Sequence, residues 1–255
     1  MGGRGARIGK KIIDVEPLGK GNGILLIAPT GEPLTEDFLK GMAETLDKEG
    51  TELAKRAYTA LLPELKYGGS DPTDPRVAYY SRYTKEAVFN QGAAANPEQY
   101  NMVHKAPFAT AFHEFAHAID HLIGGYGNEH YSSYNSFTNL KQILKDDFKA
   151  FKKKKGFKSN DKAFEYFKSK YDLKTRSSLS DALEGVTRRS YPLDTGHGVS
   201  YHRNHSGASE TEFFAGVMQN SASSKAGYNL LKEVFPNGVK IVEDIVEAEL
   251  KKRGK

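Results

Sequence analysis

Apolar residues recur at helical spacing most clearly in one segment near the middle of the chain. Intervals of four, three, four and three residues separate Phe108, Phe112, Phe115, Ile119 and Leu122. This spacing places the five side chains on one face of a helix. Proline suits a first helical turn and precedes the run at position 107, and two glycines at 124 and 125 supply a stop signal. The pattern predicts a helix over residues 107–124, referred to below as the motif helix.

Weaker periodic patterns divide the rest of the chain. Runs rich in β-branched and aromatic residues predict short strands at 11–15, 23–28, 76–81 and 86–90. Helical periodicity predicts helices at 34–63 with a break near Gly50, 136–190 with a break near Gly156, 209–220, 224–235 and 238–252. Residues 68–75 and 191–208 have the composition of loops.

Composition indicates a globular protein. Of the 255 residues, 38% are hydrophobic and 27% are charged, values typical of a soluble domain. The length suffices for one large catalytic domain or for one domain with two lobes. No run approaches the roughly 18 apolar residues that cross a bilayer. The N-terminus lacks the apolar core and cleavage site of a secretory signal. We therefore expect no membrane span.

Charge and cysteine content exclude several classes of site. The chain contains no cysteine, so disulfide frameworks, cysteine-based zinc ribbons and thiol nucleophiles are ruled out. Its net charge is +5, with basic residues concentrated at 152–155 and in the final KKRGK. We interpret these residues as solvated surface. Because no nucleic-acid-binding motif accompanies them, a nucleic-acid partner is not expected.

Residues 113–117 read HEFAH, the H-E-x-x-H pattern of zinc enzymes. His113 and His117 are one turn apart on the predicted helix, so both imidazoles can reach one ion. Glu114 projects about 100° round the helix, where its carboxylate can take a proton from a water that the metal acidifies. The alternative is two surface histidines and a solvated glutamate. A helix with start and stop signals and a buried face favours one catalytic Zn²⁺.

A catalytic zinc ion needs a third protein ligand. His121 lies on the same helix face, but it is about 12 Å from His113 along the axis, so the two cannot share one ion. Metzincins carry a histidine where this chain has Ile123, which disfavours that class. The third ligand is therefore expected from another part of the chain.

The best candidate for the third ligand is Glu212, in ASETEFFAGVM. It opens a predicted helix whose apolar residues can pack against the motif helix. Two alternatives remain. Ser209 and Glu212 fit an S-x-x-E capping box, in which Glu212 would only hold the helix N-terminus, and Glu210 is a rival ligand.

These motifs resemble a known group of peptidases. HEFAH followed by a distant EFFA resembles the gluzincins related to anthrax lethal factor, in which the glutamate of E-F-F-A is the third zinc ligand, a role that the resemblance implies for Glu212. The segment SDALEGVTRRSYPLDTGHGVSYHRNHSGASETEFFAG is similar to peptidase-like domains of phage minor head proteins and prophage toxins. Those share its S-D start, Gly-x-Thr step, Gly-His-Gly-x-x-Tyr and Glu-x-Phe-Ala. The similarity covers roughly 76–125 and 178–245.

The chain departs from the lethal-factor-like pattern at one position. That pattern has a second glutamate one turn after the ligand, where this chain has Gly216. The departure puts a contact behind the ligands in doubt, and not the zinc site itself.

Several further residues are candidates for supporting roles. Asp120 shares the face of the ligand histidines, and we expect it to accept the second ring N–H of one of them; a solvated helix acid is the alternative. The resemblance implies a tyrosine that donates to the oxyanion, which is here Tyr201. The spacing in the lethal-factor group is shorter than the eleven residues here, so His205 and His197 are rivals, and a buried structural tyrosine is the alternative.

The resemblance also implies an α+β, zincin-like fold. We expect an irregular basic segment at 1–30, then an N-terminal lobe at 31–125 with a small mixed sheet and the motif helix. A mainly helical C-terminal lobe at 126–255 carries the third ligand, and the cleft lies between the lobes. The strand at 76–81 is expected to pair with extended substrate, with Tyr79 or Tyr80 lining a subsite unless both belong to the core.

The sequence thus predicts a zinc metalloendopeptidase that hydrolyses a protein or peptide substrate with Glu114 as general base. The alternative is a catalytically silent zincin-fold structural or partner-binding protein of phage origin, which would not need Glu114. A third hypothesis, a basic nucleic-acid-associated protein with an incidental HEFAH, predicts salt-dependent binding and no metal. The localisation stays open between the cytoplasm, a phage particle and export by a route other than Sec.

Overall fold

The computed structural model describes residues 33–70, 78–81, 83–100, 105–125, 132 and 139–255, and the backbone of 13–15 and 24–26. This part of the chain is mostly helical and carries a small three-stranded mixed sheet. The α+β class predicted above is confirmed at this level. Most of the segment at 1–30 lies outside the described residues. Among those described, no helix has both the length and the apolar character needed to cross a membrane.

The strands are short. They are β1 (Ile13–Val15), β2 (Ile24–Leu26), β3 (Lys66–Gly69), β4 (Ala78–Ser81) and β5 (Glu86–Phe89). The first two pair antiparallel with each other. The other three form the mixed sheet in the order β3-β5-β4, in which β5 pairs parallel with β3 and antiparallel with β4.

Helices make up most of the described structure. They are α1 (Glu36–Glu49), α2 (Glu52–Leu61), α3 (Gln91–Ala95), α4 (Ala109–Ile123), α5 (Leu140–Lys155), α6 (Asn160–Lys170), α7 (Leu173–Arg176), α8 (Ser180–Thr187), α9 (Val199–Asn204), α10 (Ala208–Ser223), α11 (Lys225–Val234) and α12 (Pro236–Lys252). Single 3-10 turns occur at Leu62–Glu64, Pro97–Tyr100 and Ser177–Leu179. The break predicted near Gly50 separates α1 from α2, and the break predicted near Gly156 ends α5.

Two loop predictions are wrong in part. Gly68 and Gly69 were expected in a loop but belong to β3, because their backbones pair with β5. Residues 191–208 were expected to be irregular throughout but include α9. Neither element carries the periodic apolar pattern from which strands and helices are predicted. The conformation of such short segments is determined by their contacts with other parts of the chain.

The motif helix is α4, and it packs its apolar face on the mixed sheet and on α2. The centroid of the Phe115 ring lies 5.4 Å from that of Tyr67 and 4.8 Å from that of Phe89. The buried Tyr58 donates from its hydroxyl to the Phe112 carbonyl at 2.9 Å. Burial of these aromatic rings, each a large apolar area, fixes α4 so that its opposite face points away from the sheet.

Helix α10 packs along α4 on that opposite side and contacts α8 and α11 as well. Nearly all its side chains are buried, including those of Phe213, Phe214 and Val217. A helix that is buried all round lies at the centre of its domain. Among the described residues, one hydrophobic cluster has members from Leu34 to Leu250. It includes residues of both predicted lobes, and the lobe boundary stays a prediction.

Candidate metal centre

The two motif histidines face each other on α4. The Nε2 atoms of His113 and His117 are 3.2 Å apart, and their side chains are only 9% and 13% exposed. Helical geometry at a spacing of four residues produces this approach. The packing of Phe112 and Phe115 on the other face keeps both imidazoles on the side that meets α10.

Helix α10 brings Glu212 to the same point. The Glu212 Oε2 atom lies 3.1 Å from His113 Nε2 and 3.6 Å from His117 Nε2. The residue is 2% exposed. The alternative that Glu212 serves in a capping box is wrong, because α10 begins earlier than that box requires. Its N-cap is Gly207, with φ of +78° and no capping side chain, so Glu212 lies inside the helix.

The spacing of these three atoms fits a metal ion. In tetrahedral coordination with ligands at about 2.0–2.1 Å, neighbouring donor atoms are about 3.3 Å apart. The distances here are 3.1, 3.2 and 3.6 Å. Two imidazole nitrogens and one carboxylate oxygen are also a donor set found in catalytic zinc sites. The residues present therefore match a metal ion.

The electrostatics of the site favour positive charge. Burial on its own would lower the pKa of His117, but the charge and hydrogen bond of Glu212, with the charges of Glu114 and Asp120, raise it to about 9. Burial would raise the pKa of Glu212, but the charge of His117 and the hydrogen bonds of both histidines hold it well below its usual range. In the metal-free protein a proton therefore supplies the positive charge that a cation would otherwise bring.

The second ring nitrogen of His113 also has a partner. His113 Nδ1 lies 3.0 Å from Oε1 of Gln219, which is buried two turns after Glu212 on α10. Because a carboxamide oxygen can only accept, Nδ1 is the donor in this contact. In the metal-free protein Nε2 also carries a proton, which it donates to Glu212; loss of that proton would free the Nε2 lone pair for a metal ion while Gln219 still holds Nδ1. Sequence reasoning missed Gln219. The sequence did contain a signal for it: Gln219 is polar and lies seven positions after Glu212, which places both residues on the same face of a helix.

Asp120 lies at the far end of α4. It is fully buried, and its two carboxylate oxygens accept the N–H of Ser132 at 2.9 Å and the Ser132 hydroxyl at 2.5 Å. Burial raises the pKa of Asp120 to about 7, against the opposing effects of the Ser132 bonds and of His117. Its charge in turn raises the pKa of His117. Its role as the acceptor for a ligand histidine stays a prediction.

Tyr201 reaches the same carboxylate from α9. Its hydroxyl donates to Glu212 Oε1 at 2.7 Å, so the two oxygens of Glu212 face different groups. Burial, followed by the charge and hydrogen bond of Glu212, raises the pKa of Tyr201. The phenol therefore keeps its proton and acts as a donor.

His197 lies beside Tyr201, in the loop before α9. Its ring stacks on that of Tyr201 at 4.5 Å, and its Nδ1 is 2.8 Å from Asp181 Oδ1 and 4.0 Å from Glu212 Oε2. Burial would lower the pKa of His197, but the hydrogen bond and charge of Asp181 and the charge of Glu212 raise it to about 9. Sequence reasoning missed Asp181, which belongs to the S-D pair that opens the phage-like run.

His205 lies on the outer side of Tyr201. The residue is exposed, its ring is 4.7 Å from the Tyr201 ring, and its Nδ1 is 3.0 Å from the Tyr201 carbonyl, which accepts. Glu114 is half-buried, and its charge raises the pKa of both His117 and Tyr201. The structure thus brings Glu114 and Tyr201 to the cluster and His205 to its edge.

Other acidic residues lie near the site but are not part of the His113, His117 and Glu212 group. The Oε2 atom of Glu210, the rival ligand, is buried with no hydrogen-bond partner among the described residues. Two neighbouring groups also have metal-binding atom types within 4.8 Å of one another, and both contain Asp181: Asp181, His197 and Glu212; Asp181, Glu184 and His202. In the first of these, Asp181 and His197 are already hydrogen-bonded to each other.

The chain was compared with protein-family models, curated proteins and solved structures. No family model matches it, no curated protein matches it and no solved structure matches it. A function is therefore inferred from the residues of the cluster.

Proposed function

We propose that this chain is a zinc-dependent metalloendopeptidase of the gluzincin type. The single observation that carries the proposal is the triangle of His113 Nε2, His117 Nε2 and Glu212 Oε2, whose sides are 3.1–3.6 Å. These side chains come from two helices that pack against each other, and Glu114 follows the first histidine. A purely structural metal site would need the three ligands but not the glutamate.

His113, His117 and Glu212 would hold the zinc ion, and Gln219 would orient His113. When bound at three protein ligands, zinc polarises a carbonyl and lowers the pKa of water to about 7. The low pKa of Glu212 keeps that ligand ionised at neutral pH. All three side chains are buried, so water screens their charges less than it would at the surface. Their electrostatic effect on a bound substrate is correspondingly larger.

Glu114 would act as the general base. Its carboxylate takes a proton from the attacking water and delivers that proton to the amine that leaves when the peptide bond breaks. The influence of its charge on His117 and Tyr201 supports a position between the ligands and the α9 side of the site. A general base needs such proximity to both the water and the leaving group.

Tyr201 and His197 are the donors best placed to stabilise the oxyanion. Tyr201 keeps its phenol proton, and the Asp181 carboxylate favours the protonated form of His197. Both groups face Glu212, so they adjoin the position where negative charge would develop. His205 stays a weaker candidate, because its ring and its Nδ1 contact Tyr201 at the outer edge of the cluster.

A protein or peptide in extended conformation is the proposed substrate. Strand β4 has one neighbour in the described sheet, β5, and it packs on α4. An extended peptide can add to such an edge and gain main-chain hydrogen bonds. Tyr80 is turned to the motif helix, where its hydroxyl lies 2.7 Å from His121 Nδ1, so Tyr79 is the better candidate for a subsite.

The proposal is tested with Glu114→Gln in a peptide-library digest, alongside metal analysis of the purified protein. We expect the wild-type chain to bind one zinc ion and cleave peptides. The variant should keep the zinc and lose turnover, because it removes the base and no ligand. Wild-type protein that binds zinc without cleaving any peptide would favour the silent structural alternative, and a fully active variant would overturn the mechanism.

A further inference from the structure

A second buried carboxylate lies next to the proposed metal centre and makes no direct contribution to it. Glu184, on α8, is 0% exposed. Its Oε1 accepts the N–H of Tyr191 at 2.6 Å, and its Oε2 accepts the N–H groups of His197 at 3.0 Å and Gly198 at 2.8 Å. One side chain therefore holds both ends of the loop at 191–198, which joins the region after α8 to α9.

This loop has a backbone that needs such a restraint. Tyr191 and Asp194 have φ values of +50° and +71°, and Gly196 and Gly198 have φ values of +122° and +83°. Non-glycine residues rarely adopt left-handed conformations, and they persist only where surrounding contacts hold them. Three main-chain N–H groups that donate to one buried carboxylate are contacts of this kind.

The loop is also fitted closely to the carboxylate. A Cβ added at Gly196 would lie 2.7 Å from Glu184 Oε1 and Oε2, so only glycine allows this approach. From α9, His202 Nε2 lies 3.5 Å from Glu184 Oε2, and its side chain is 6% exposed. Glu184 is thus enclosed by the loop on one side and by α9 on the other.

The same loop carries a group of the proposed active site. Glu184 binds the main-chain N–H of His197, and that N–H also lies 3.1 Å from Asp181 Oδ1. Asp181 holds the His197 ring at Nδ1. The main chain and the ring of His197 are therefore fixed by two acids of one helix, α8, one turn apart.

We propose that Glu184 is a positioning residue. It fixes the 191–198 loop so that the His197 ring stays stacked on Tyr201 and directed towards Glu212. This inference rests on the proposed function for its catalytic consequence. The loop restraint itself is a property of the folded chain and is measurable without turnover.

The matched experiment compares Glu184→Gln with Asp147→Asn. Asp147, on α5, is also a buried carboxylate with three donors, the N–H groups of Asn237 and Gly238 and the Asn237 side-chain amide. It lies outside the cluster described above. We expect Glu184→Gln to lower kcat at least about tenfold with KM and zinc content little changed, and Asp147→Asn to lower only the melting temperature. Equal loss of kcat in both variants would overturn the proposal.

A double-mutant cycle separates positioning from general destabilisation. If Glu184 acts through His197, Glu184→Gln should cost at least about tenfold in kcat in the wild-type background and no more than about twofold in His197→Gln, because coupled residues are non-additive. Fully additive losses would contradict a role through His197.

Amide hydrogen exchange provides the readout that does not depend on activity. In Glu184→Gln the amides of Tyr191, His197 and Gly198 should exchange at least about tenfold faster, with exchange in α4 unchanged. Unchanged exchange at these three amides would refute the restraint even in an active enzyme. Wild-type protein without peptidase activity but with this exchange pattern would refute only the proposed function.

Gly196→Ala tests the same contact from the loop side without removing the carboxylate. The added methyl must displace the carboxylate or the loop, so we expect the same exchange pattern and the same loss of kcat. Its control is Gly156→Ala, another glycine with positive φ, +73°, whose added Cβ meets no atom within 4 Å. Wild-type exchange and kcat in Gly196→Ala would contradict the fit described here.

Discussion

Gln219 accepts a hydrogen bond from the ring nitrogen of His113 that faces away from the proposed metal ion. The carboxamide oxygen holds the imidazole in the tautomer that a metal ion requires. The lethal-factor-like pattern that the sequence resembles has a second glutamate one turn after the ligand, and that position is Gly216 here. Gln219, one turn further along the buried face of α10, supplies a contact of that kind in this chain.

Removing this contact should weaken metal binding. We expect Gln219→Leu to lower zinc affinity roughly 10–100-fold, the usual effect of losing a partner behind a metal ligand. Gln219→Glu keeps an acceptor oxygen and should stay within a few-fold of wild type. A competition titration against a chelator of known affinity measures both, and equal affinities for the two variants would contradict the orienting role.

The two acids at the start of α10 should behave differently. Glu212→Ala removes a proposed direct ligand, so we expect a loss of zinc affinity beyond the roughly 100-fold limit for residues that only contact a ligand. Glu210→Ala should leave the affinity within a few-fold, because Glu210 lies outside the triangle. The same titration decides between them. Intact zinc binding in Glu212→Ala would mean that the third ligand is another residue.

The raised pKa of His197 predicts a pH dependence in the metal-free protein. Its folded-state pKa is about 9, above the ordinary value of about 6.5 in the unfolded chain. The stability contributed by the Asp181–His197 pair is therefore fully present below pH 6.5 and is lost as the pH rises through 9. His117 acts in the same direction.

We accordingly expect the melting temperature of chelator-treated protein to fall between pH 7 and pH 9. Asp120, whose folded-state pKa is about 7, titrates in the lower part of this window and lowers stability in the same direction, so the His197 contribution is measured by comparison with a variant. His197→Gln should make the decline shallower, and thermal melts at a series of pH values measure it. An identical slope in the variant would show that the pair adds no stability.

The residues of the candidate site differ in how far sequence could predict them. His113, Glu114 and His117 lie in one helical turn, so local spacing was sufficient to place them together. Tyr201 and Glu212 needed the resemblance as well. Gln219, Asp181 and Glu184 could not be assigned roles, because their partners lie in other helices or loops and depend on tertiary packing.

At the scale of elements, helices with a strong apolar periodicity were predicted well. A short strand whose conformation depends on pairing with another strand was predicted poorly. The motif helix was expected at 107–124 and extends over Ala109–Ile123. Strand β3 was missed because its sequence, KYGG, contains two glycines and no alternation. Its partner β5 determines that conformation, and no pattern within four residues carries that information.

Replacing a glycine by alanine should change the stability of the protein in opposite directions at two positions, in α10 and in α12. A Cβ added at Gly216 on α10 would meet no atom within 4 Å, so Gly216→Ala should stabilise the protein by about 0.5–1 kcal/mol through helix propensity. At Gly238 on α12, the added Cβ would lie 2.5 Å from Leu144 Cδ2 and 3.1 Å from the Phe213 ring.

Gly238→Ala should therefore destabilise the protein by about 1–3 kcal/mol, because it overpacks the contact between α5, α10 and α12. Denaturant unfolding of the two variants checks the pair. A gain of stability in both would show that Leu144 and Phe213 yield more easily than their packing indicates. Zinc binding should be unchanged in Gly216→Ala.

For the whole molecule, metal binding and folding should be linked. A ligand that binds only the native state at about 100 times its Kd adds about 2.7 kcal/mol. For a chain of this size, that corresponds to a rise in melting temperature of roughly 5–10 °C. Saturating zinc should produce this rise in wild-type protein, and a chelator should reverse it.

His113→Ala provides the control for this shift. It removes one of the three proposed ligands, so zinc should leave its melting temperature almost unchanged. An equal rise in the variant and in wild-type protein would place the stabilising zinc at a different site.

The separation of the proposed ligands along the chain has a consequence for biosynthesis. His113 and Glu212 are 99 residues apart, and a ribosome needs roughly 5–20 s to add that length at about 5–20 residues per second. During this interval the nascent chain contains HEFAH without the proposed third ligand. A hydrolytic centre built from α4 and α10 would therefore be inert until translation has passed residue 212 and α10 has docked, so folding itself would time the onset of activity.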